Sequence, residues 1–318
     1  MQAHLIVNPN AGSTRGLDSD ALTDALHLAG YDPVYRATAD ETELAEALDG
    51  AEGLVVVAGG DGTVRAAARH LVGRDVPLAV LPMGTANNIG RTLGLSGAPL
   101  DLVRGLAAPR VMPFDVGRVT GPWGEDVFLE AAGYGLYADA LNAYDPDEGK
   151  SVPRALSALA TTVGTYAPPD VKVTLDGVDL SGGYLLLEAL NTQATGPRLR
   201  LAPHADPGDG LLDVVLVRAE GRDSLLAYLR GLLSDGVQDL PSVETHRGRV
   251  LTFGWCGQAV HVDGERRPAY PDGEPDRVVH EDGEVRVEVL PGALTLWLPG
   301  GETDVDERRF DLREEERA

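Results

Sequence analysis

Between Val55 and Leu71 the chain reads VVVAGGDGTVRAAARHL. An apolar run ends in Gly59 and Gly60. Asp61, Gly62 and Thr63 follow, and then an alanine-rich helical pattern. A glycine loop at a helix N-terminus offers free N–H groups and the positive end of the helix dipole, so it favours an anion. A carboxylate at its tip works against that, because two like unit charges about 4 Å apart repel by ~4 kcal/mol at an effective dielectric near 20. Two readings resolve the conflict. Asp61 can share a Mg²⁺ with substrate phosphates, as Mg²⁺ sites commonly do. Alternatively, it caps the helix through a backbone N–H.

Two further loops resemble the first in composition, Asn8–Gly12 and Met83–Asn88, and all three fall at the C-terminal ends of predicted strands. Ligands of open α/β sheets bind at such ends. One loop alone would read as a tight turn, whereas three rich in Gly, Asn and Thr suit a polyanion. The sequence contains no G-x-x-x-x-G-K-[ST] loop, and its first βα turn lacks G-x-G-x-x-G. The two lysines, Lys150 and Lys172, are remote from the loops. The charge on a triphosphate would therefore be met by N–H groups, by arginines such as Arg15, Arg65 or Arg91, and by a metal. Two later stretches, DPGDG at 206–210 and VDGE at 262–265, pair acids with glycine, which is also an ordinary turn signal. The seven histidines show no metal-ligand spacing, and His204 and His261 read as surface or packing residues. Trp123, Trp255 and Trp297 read as core or interface residues.

The elements that must position these loops alternate strictly. Residues 3–8 read as a buried strand, followed by a helix closed by Gly30. PVYRAT is a second strand. Asp40 and Glu43 form a capping-box pattern opening a helix that ends at Gly50. GLVVVA and PLAVLP are further strands, with helices from about Thr63 and after Met83. Continuous apolar strands between helices predict an α/β domain with a parallel sheet covered on both faces. Past Pro109 the pattern changes to many short β-like runs with glycine turns, interrupted by two helices around 153–166 and 222–233. This predicts a mostly β second domain, a sandwich or a barrel. The helix at 155–163 reads as core, with the lining of an apolar cleft as the alternative. The expected division is 1–109 for the α/β domain, 110–290 for the β-rich domain, and 302–318 as a charged tail. Residues 291–299 either finish the β domain or return to the first, which 291–305 would then complete.

Composition narrows the function classes. The chain has 318 residues and a formal net charge of −23. That excess of acid argues against non-specific nucleic-acid binding and against a polybasic membrane anchor. Cys256 is the only cysteine, so neither a disulfide framework nor a thiolate metal cluster is expected. The N-terminus lacks a signal-peptide layout, and no apolar run approaches the ~20 residues of a membrane span. The expectation is a soluble, cytoplasmic protein.

NPNAG, GGDGTVRAA, LPMGTANNIGR, DPGDGLLDVVLV and VDGE occur in the order and spacing of the diacylglycerol kinase catalytic-domain family. This family includes soluble bacterial lipid kinases and sphingosine kinases, and the resemblance covers about residues 3–299. It implies an N-terminal nucleotide domain of NAD-kinase-like fold, a C-terminal β-rich lipid domain and an active site between them. The implied activity is ATP- and Mg²⁺-dependent transfer of a phosphoryl group to a lipid alcohol. Peripheral, transient contact with a membrane surface follows from that substrate, and a homodimer is left open. By motif, the nucleotide site comprises Asn8, Pro9, Asn10, Ala11, Gly12, Thr38, Gly59, Gly60, Asp61, Gly62, Thr63, Val64, Arg65, Ala66, Gly84, Thr85, Asn87 and Asn88. Asp61 belongs to a carboxylate–water–Mg²⁺ network. Asp209 is implied as side-chain ligand of a second, structural Mg²⁺, completed by the carbonyls of Asp206 and Leu211. Glu265 is implied as the general base, with Asp263 beside it.

The sequence departs from the family pattern at three places. Asn88 stands where many members carry an aspartate of the metal network, which predicts weaker Mg²⁺ binding. Arg65 and Ala66 replace a frequent Asn-Glu pair, and Ser13 replaces a frequent lysine. GGDGT is shared with NAD kinases, so an NAD kinase-type enzyme is one alternative. A non-catalytic nucleotide- or lipid-binding regulator is another.

Overall fold

The computed structural model describes residues 1–10, 18–143, 151–233, 243–268 and 283–300. Ala11, Gly12, Ser13, Arg15 and the 302–318 tail lie outside the described residues. The chain divides into two compact units. The first contains Met1–His70, Asp75–Met112 and the chain from Thr295, and the second contains Leu71–Arg74 and Pro113–Leu294.

The first unit contains β1 (Gln2–Val7), α1 (Ser19–Leu28), β2 (Asp32–Ala37), α2 (Glu41–Leu48), β3 (Leu54–Gly59), α3 (Asp61–Leu71), β4 (Leu78–Pro82), α4 (Asn88–Thr92) and α5 (Pro99–Gly105). All pairings are parallel, in the order β2–β1–β3–β4, with Ile6 opposite Val57 and Val57 opposite Val80. β3 is buried throughout, as a continuous apolar run in a doubly covered sheet requires. The strand order reverses direction at β1 and β3, so the loops after these two strands flank the switch point where such sheets bind ligands. The capping pattern at α2 forms with one shift. Asp40 accepts from the Glu43 N–H at 2.9 Å, but the Glu43 carboxylate accepts from Ala39 N–H rather than from Asp40. α3 begins at Asp61, two residues before the expected start.

The second unit follows with β5 (Arg110–Gly121), β6 (Gly124–Phe128), β7 (Ala131–Gly135), α6 (Leu136–Ala143), α7 (Val152–Val163), β8 (Asp170–Val171), β9 (Val173–Leu175), β10 (Val178–Asp179), β11 (Gly182–Leu190), β12 (Leu212–Arg218), α8 (Arg222–Leu233), β13 (Glu244–Gly248), β14 (Val250–Trp255), β15 (Val260–Val262), β16 (Glu265–Arg267) and β17 (Gly283–Leu298). One antiparallel sheet runs β13–β12–β11–β7–β15–β16. The other runs β10–β9–β14–β17, with β5 and β6 attached. Phe128, Tyr134, Tyr184, Phe253 and Val285 fill the core that the two sheets share, giving a sandwich. Leu136, Leu156, Leu159, Leu225 and Tyr228 pack α6, α7 and α8 in a second core with β11 and β12. α6 is a helix beyond the two expected. Its sequence LYADALNA follows directly on a buried strand, so no polar break announces it. The end of β17 belongs to the first unit, where Leu296 pairs in parallel with Leu78 of β4. The α/β unit is therefore followed by a mostly antiparallel β unit. No described helix is long and apolar enough to cross a membrane.

Candidate functional site

In the first unit the loops after β3 and β4 are built by close backbone approach. A Cβ on Gly84 would lie 2.6 Å from the Gly60 Cα, and one on Gly59 would lie 2.7 Å from the Thr63 Cβ. Only glycine allows the loop after β3 to touch the loop after β4 and the first turn of α3 to close beneath it. Asn8 Nδ2 donates to Thr63 Oγ1 at 2.9 Å, which ties the loop after β1 to the same turn. Asn10 N–H donates to Asn8 Oδ1, and Thr38 N–H donates to the Val7 carbonyl. Asn87 stands in the left-handed region at φ +54°, and its side-chain oxygen accepts from Gly84 N–H at 2.7 Å. Asn8, Asn10, Gly59, Gly60, Thr63, Gly84 and Asn87 are thus brought together. Pro9, Gly62 and Thr85 are exposed, while Thr38, Val64 and Arg65 are buried, Arg65 being 3% exposed. Ala66 is half-buried on α3.

Asp61 sits where two loops meet. Its carboxylate accepts from Asn88 N–H at 3.1 Å and Ile89 N–H at 3.2 Å, the first two amides of α4. Burial pushes this carboxyl above the usual aspartate range, and the amides of Ile89, Asn88 and Asn87 pull it back. The carboxylate therefore caps α4, not α3, the helix that the capping reading expected. Each carboxylate oxygen carries two lone pairs, so capping leaves acceptor capacity. One carboxylate plus substrate phosphates is an ordinary Mg²⁺ donor set, and Asp61 fits it. Asn88 has its main chain in this cap and its side chain buried, 1% exposed.

In the second unit the DPGDG loop is folded around its own acids. Asp209 accepts from Leu211 N–H at 2.9 Å, and Asp206 accepts from Gly208 N–H at 3.1 Å. Arg247 of β13 donates to the remaining oxygen of Asp209. Among the described residues no cluster of three or more His, Cys, Asp or Glu is arranged to hold a metal. A cation held by Asp209 and two carbonyls would share its carboxylate with this guanidinium. A further carboxylate, Asp115 on β5, underpins the loop. It is 2% exposed and accepts from Gly210 N–H and Gly292 N–H, both at 2.7 Å. Burial first, opposed by these amides, and then the charges of Asp209 and Asp206 hold its carboxyl above the usual range. The sequence reading missed Asp115. The signal was an acid between the apolar residues Phe114 and Val116 of a predicted strand, FDVGRV.

The VDGE stretch is a two-residue hairpin between β15 and β16. Asp263 and Gly264 have φ of +49° and +74°, and Val262 pairs with Glu265. Asp-Gly suits this turn because both central residues need positive φ. The Asp263 carboxylate accepts from the N–H groups of Leu129, Glu130 and Ala131 at 2.8, 2.8 and 3.0 Å. Asp263 therefore anchors the turn to the segment before β7. Glu265 leaves the turn with its side chain 56% exposed, and Arg267 Nη2 donates to it at 3.0 Å. Arg267 also pairs with the buried carboxylate of Asp126. Glu265 is the exposed acid at the end of this turn, and Arg267 restrains its direction.

Known proteins share this organisation. Residues 2–119 match the diacylglycerol kinase catalytic domain, and residues 139–298 match the YegS C-terminal NAD kinase beta sandwich-like domain. A protein of Pseudomonas putida named "Probable lipid kinase YegS-like" is 30% identical over 269 residues, 81% of each chain. A diacylglycerol kinase of Mycobacterium tuberculosis is 29% identical over 220 residues, 66% of this chain and 70% of that one. The crystal structure of a diacylglycerol kinase from Bacillus anthracis is similar with a TM-score of 0.65 at 20% identity, covering 93% of this chain and 96% of that one; this is a likeness of fold. The motifs, their placement at strand ends and these matches agree: the chain belongs to the diacylglycerol kinase catalytic-domain family.

Proposed function

We propose that the protein is an ATP- and Mg²⁺-dependent lipid kinase that transfers the γ-phosphoryl group to the hydroxyl of a lipid alcohol. The observation that carries the reading is the Asp61 carboxylate seated on the first amides of α4, where two glycine loops meet, in a chain of this family. Residues 1–109 with the returning end of β17 supply the nucleotide domain, and residues 110–290 supply the lipid domain. The loops after β1, β3 and β4 hold the phosphates through main-chain N–H groups and the side chains of Asn8, Thr63 and Thr85. Mg²⁺, held through Asp61 and the phosphates, would neutralise charge on the group in transfer.

Glu265 takes the proton of the attacking hydroxyl. The lipid oxygen bonds to the γ-phosphorus, the bond from that phosphorus to the bridging oxygen breaks, and ADP leaves with the electron pair. A carboxylate that is exposed yet oriented suits this role, because the acceptor must reach the hydroxyl at hydrogen-bond distance. Arg267 orients it, and Asp263 fixes the turn from which it projects. A lipid acceptor entails contact with a membrane or micelle surface. The test is an assay of labelled ATP against diacylglycerol, a sphingoid base, phosphatidylglycerol and NAD. Label is expected in a lipid phosphate. Label in NAD alone would assign the protein to the other GGDGT enzymes, and bound ATP with no transfer would make it a regulator.

A further inference from the structure

Behind the Asp263–Gly264 turn lies a buried polar pair that the phosphoryl-transfer reading does not use. His261 on β15 and Glu188 on β11 are both fully buried, with His261 Nε2 2.6 Å from Glu188 Oε2. Their strands are not neighbours. β7 runs between them, and its residue in register with both is Gly133. A Cβ there would lie 2.6 Å from Glu188 Oε2. The missing side chain is what lets the two meet across the middle strand. Tyr137 of α6 sets its ring edge-on against the imidazole, with centroids 4.5 Å apart. On the far side of the ring, His261 Nδ1 accepts from Gly264 N–H at 3.4 Å.

These contacts fix the tautomer. A ring nitrogen that accepts from an amide carries no proton, so the imidazole proton is on Nε2, where Glu188 accepts it. Burial pushes the Glu188 carboxyl up. The ring is therefore held on one edge by a buried acid and touches, on the other, the glycine immediately before Glu265.

We propose that His261 is a positioning residue: its Nδ1 tethers the Asp263–Gly264 turn from which Glu265 projects, and Glu188, reaching across Gly133, holds the ring in the Nε2–H form. The inference rests on the reading of Glu265 as proton acceptor. A tether at this turn acts on the chemical step, because small misplacements of an acceptor reduce rate far more than binding.

Two near-isosteric variants separate tethering from packing. His261→Asn keeps an acceptor near the Nδ1 position for Gly264 and loses the partner of Glu188. His261→Gln keeps a donor for Glu188 and loses the acceptor for Gly264. The expected result is kcat within about threefold of wild type for His261→Asn and at least about tenfold lower for His261→Gln, with KM for ATP unchanged in both. A kcat for His261→Gln equal to or above that of His261→Asn would overturn the proposal. Should either variant fail to fold, ¹⁵N-histidine NMR of the wild-type protein decides: the Nε2–H tautomer is expected for His261, and the Nδ1–H tautomer would overturn it. Glu265→Gln, measured alongside, keeps the two readings apart. Full activity there removes the base, whereas loss there with unaffected His261 variants removes only the tether.

Discussion

Asp61 and Asn88 are joined at 3.1 Å through a carboxylate and a main-chain N–H, at the junction of two glycine loops. One side chain therefore caps a short helix and, on the proposed function, also supplies charge for a metal–phosphate site.

The two tasks separate by substitution. Asp61→Ala loses both: it should abolish phosphoryl transfer and cost about 1 kcal/mol through the lost cap, lowering Tm by about 2–4 °C. Asp61→Asn keeps an acceptor for the cap and should be inactive but folded. Burial raises the Asp61 carboxyl, so the folded protein holds that proton more tightly than the unfolded chain. Its contribution to stability is then fully present below the ordinary aspartate pKa and is lost as pH rises through the folded value. Without nucleotide, Asp61→Asn should melt above wild type at pH 7, with the difference closing as pH falls towards about 4. Melting curves across pH check this, and a constant difference at all pH values would contradict it.

At Asn88 the family pattern suggests that a carboxylate would strengthen Mg²⁺ binding. The structure points to another outcome, because the Asn88 side chain is buried and its residue adjoins the Asp61 carboxylate, to which the Asn88 main-chain N–H donates. A second acid there would raise a neighbouring pKa instead of gaining a metal. Asn88→Asp is expected to lower Tm at pH 7, to recover in part at acid pH, and to leave the Mg²⁺ requirement unreduced. A Mg²⁺ titration that shows half-maximal activity at lower Mg²⁺ would refute this.

Asp263 and Glu265, two residues apart, should fail differently. Asp263→Ala strands three main-chain N–H groups and should cost on the order of 3 kcal/mol. Glu265→Gln, at an exposed position, should leave Tm within about 1 °C and reduce kcat, since surface changes fall within about ±0.5 kcal/mol. Thermal melts beside steady-state kinetics distinguish them.

Much of this was readable from residue order. Apolar runs ending in Gly, Asn and Thr mark β1, β3 and β4 and the loops that follow them, and Asp-Gly marks the β15–β16 turn. What was not legible depends on register between distant strands. Nothing in VHVDGE says that His261 meets Glu188, because the pairing requires Gly133 to stand between them in the sheet. Nor does the loop DPGDG reveal Asp115, which reaches it from a strand about ninety residues earlier. Asp61 was legible as a cap or a metal carboxylate, but the helix it caps was not.

The Asp209 loop tests the role of a second cation. Arg247 already supplies a positive charge to Asp209, so a structural Mg²⁺ must compete with it. Chelator should lower the Tm of the wild-type protein slightly and that of Arg247→Ala more, and should leave Asp209→Ala unchanged. Equal shifts in all three proteins would place any stabilising cation elsewhere.

The most direct measurement is the fate of the γ-phosphate. With γ-labelled ATP, Mg²⁺ and mixed micelles of lipid alcohols, one labelled lipid phosphate should form for each ADP released, and none should form with Asp61→Asn. Release of ADP without labelled lipid from any acceptor, or label transfer that survives in Asp61→Asn, would contradict the account.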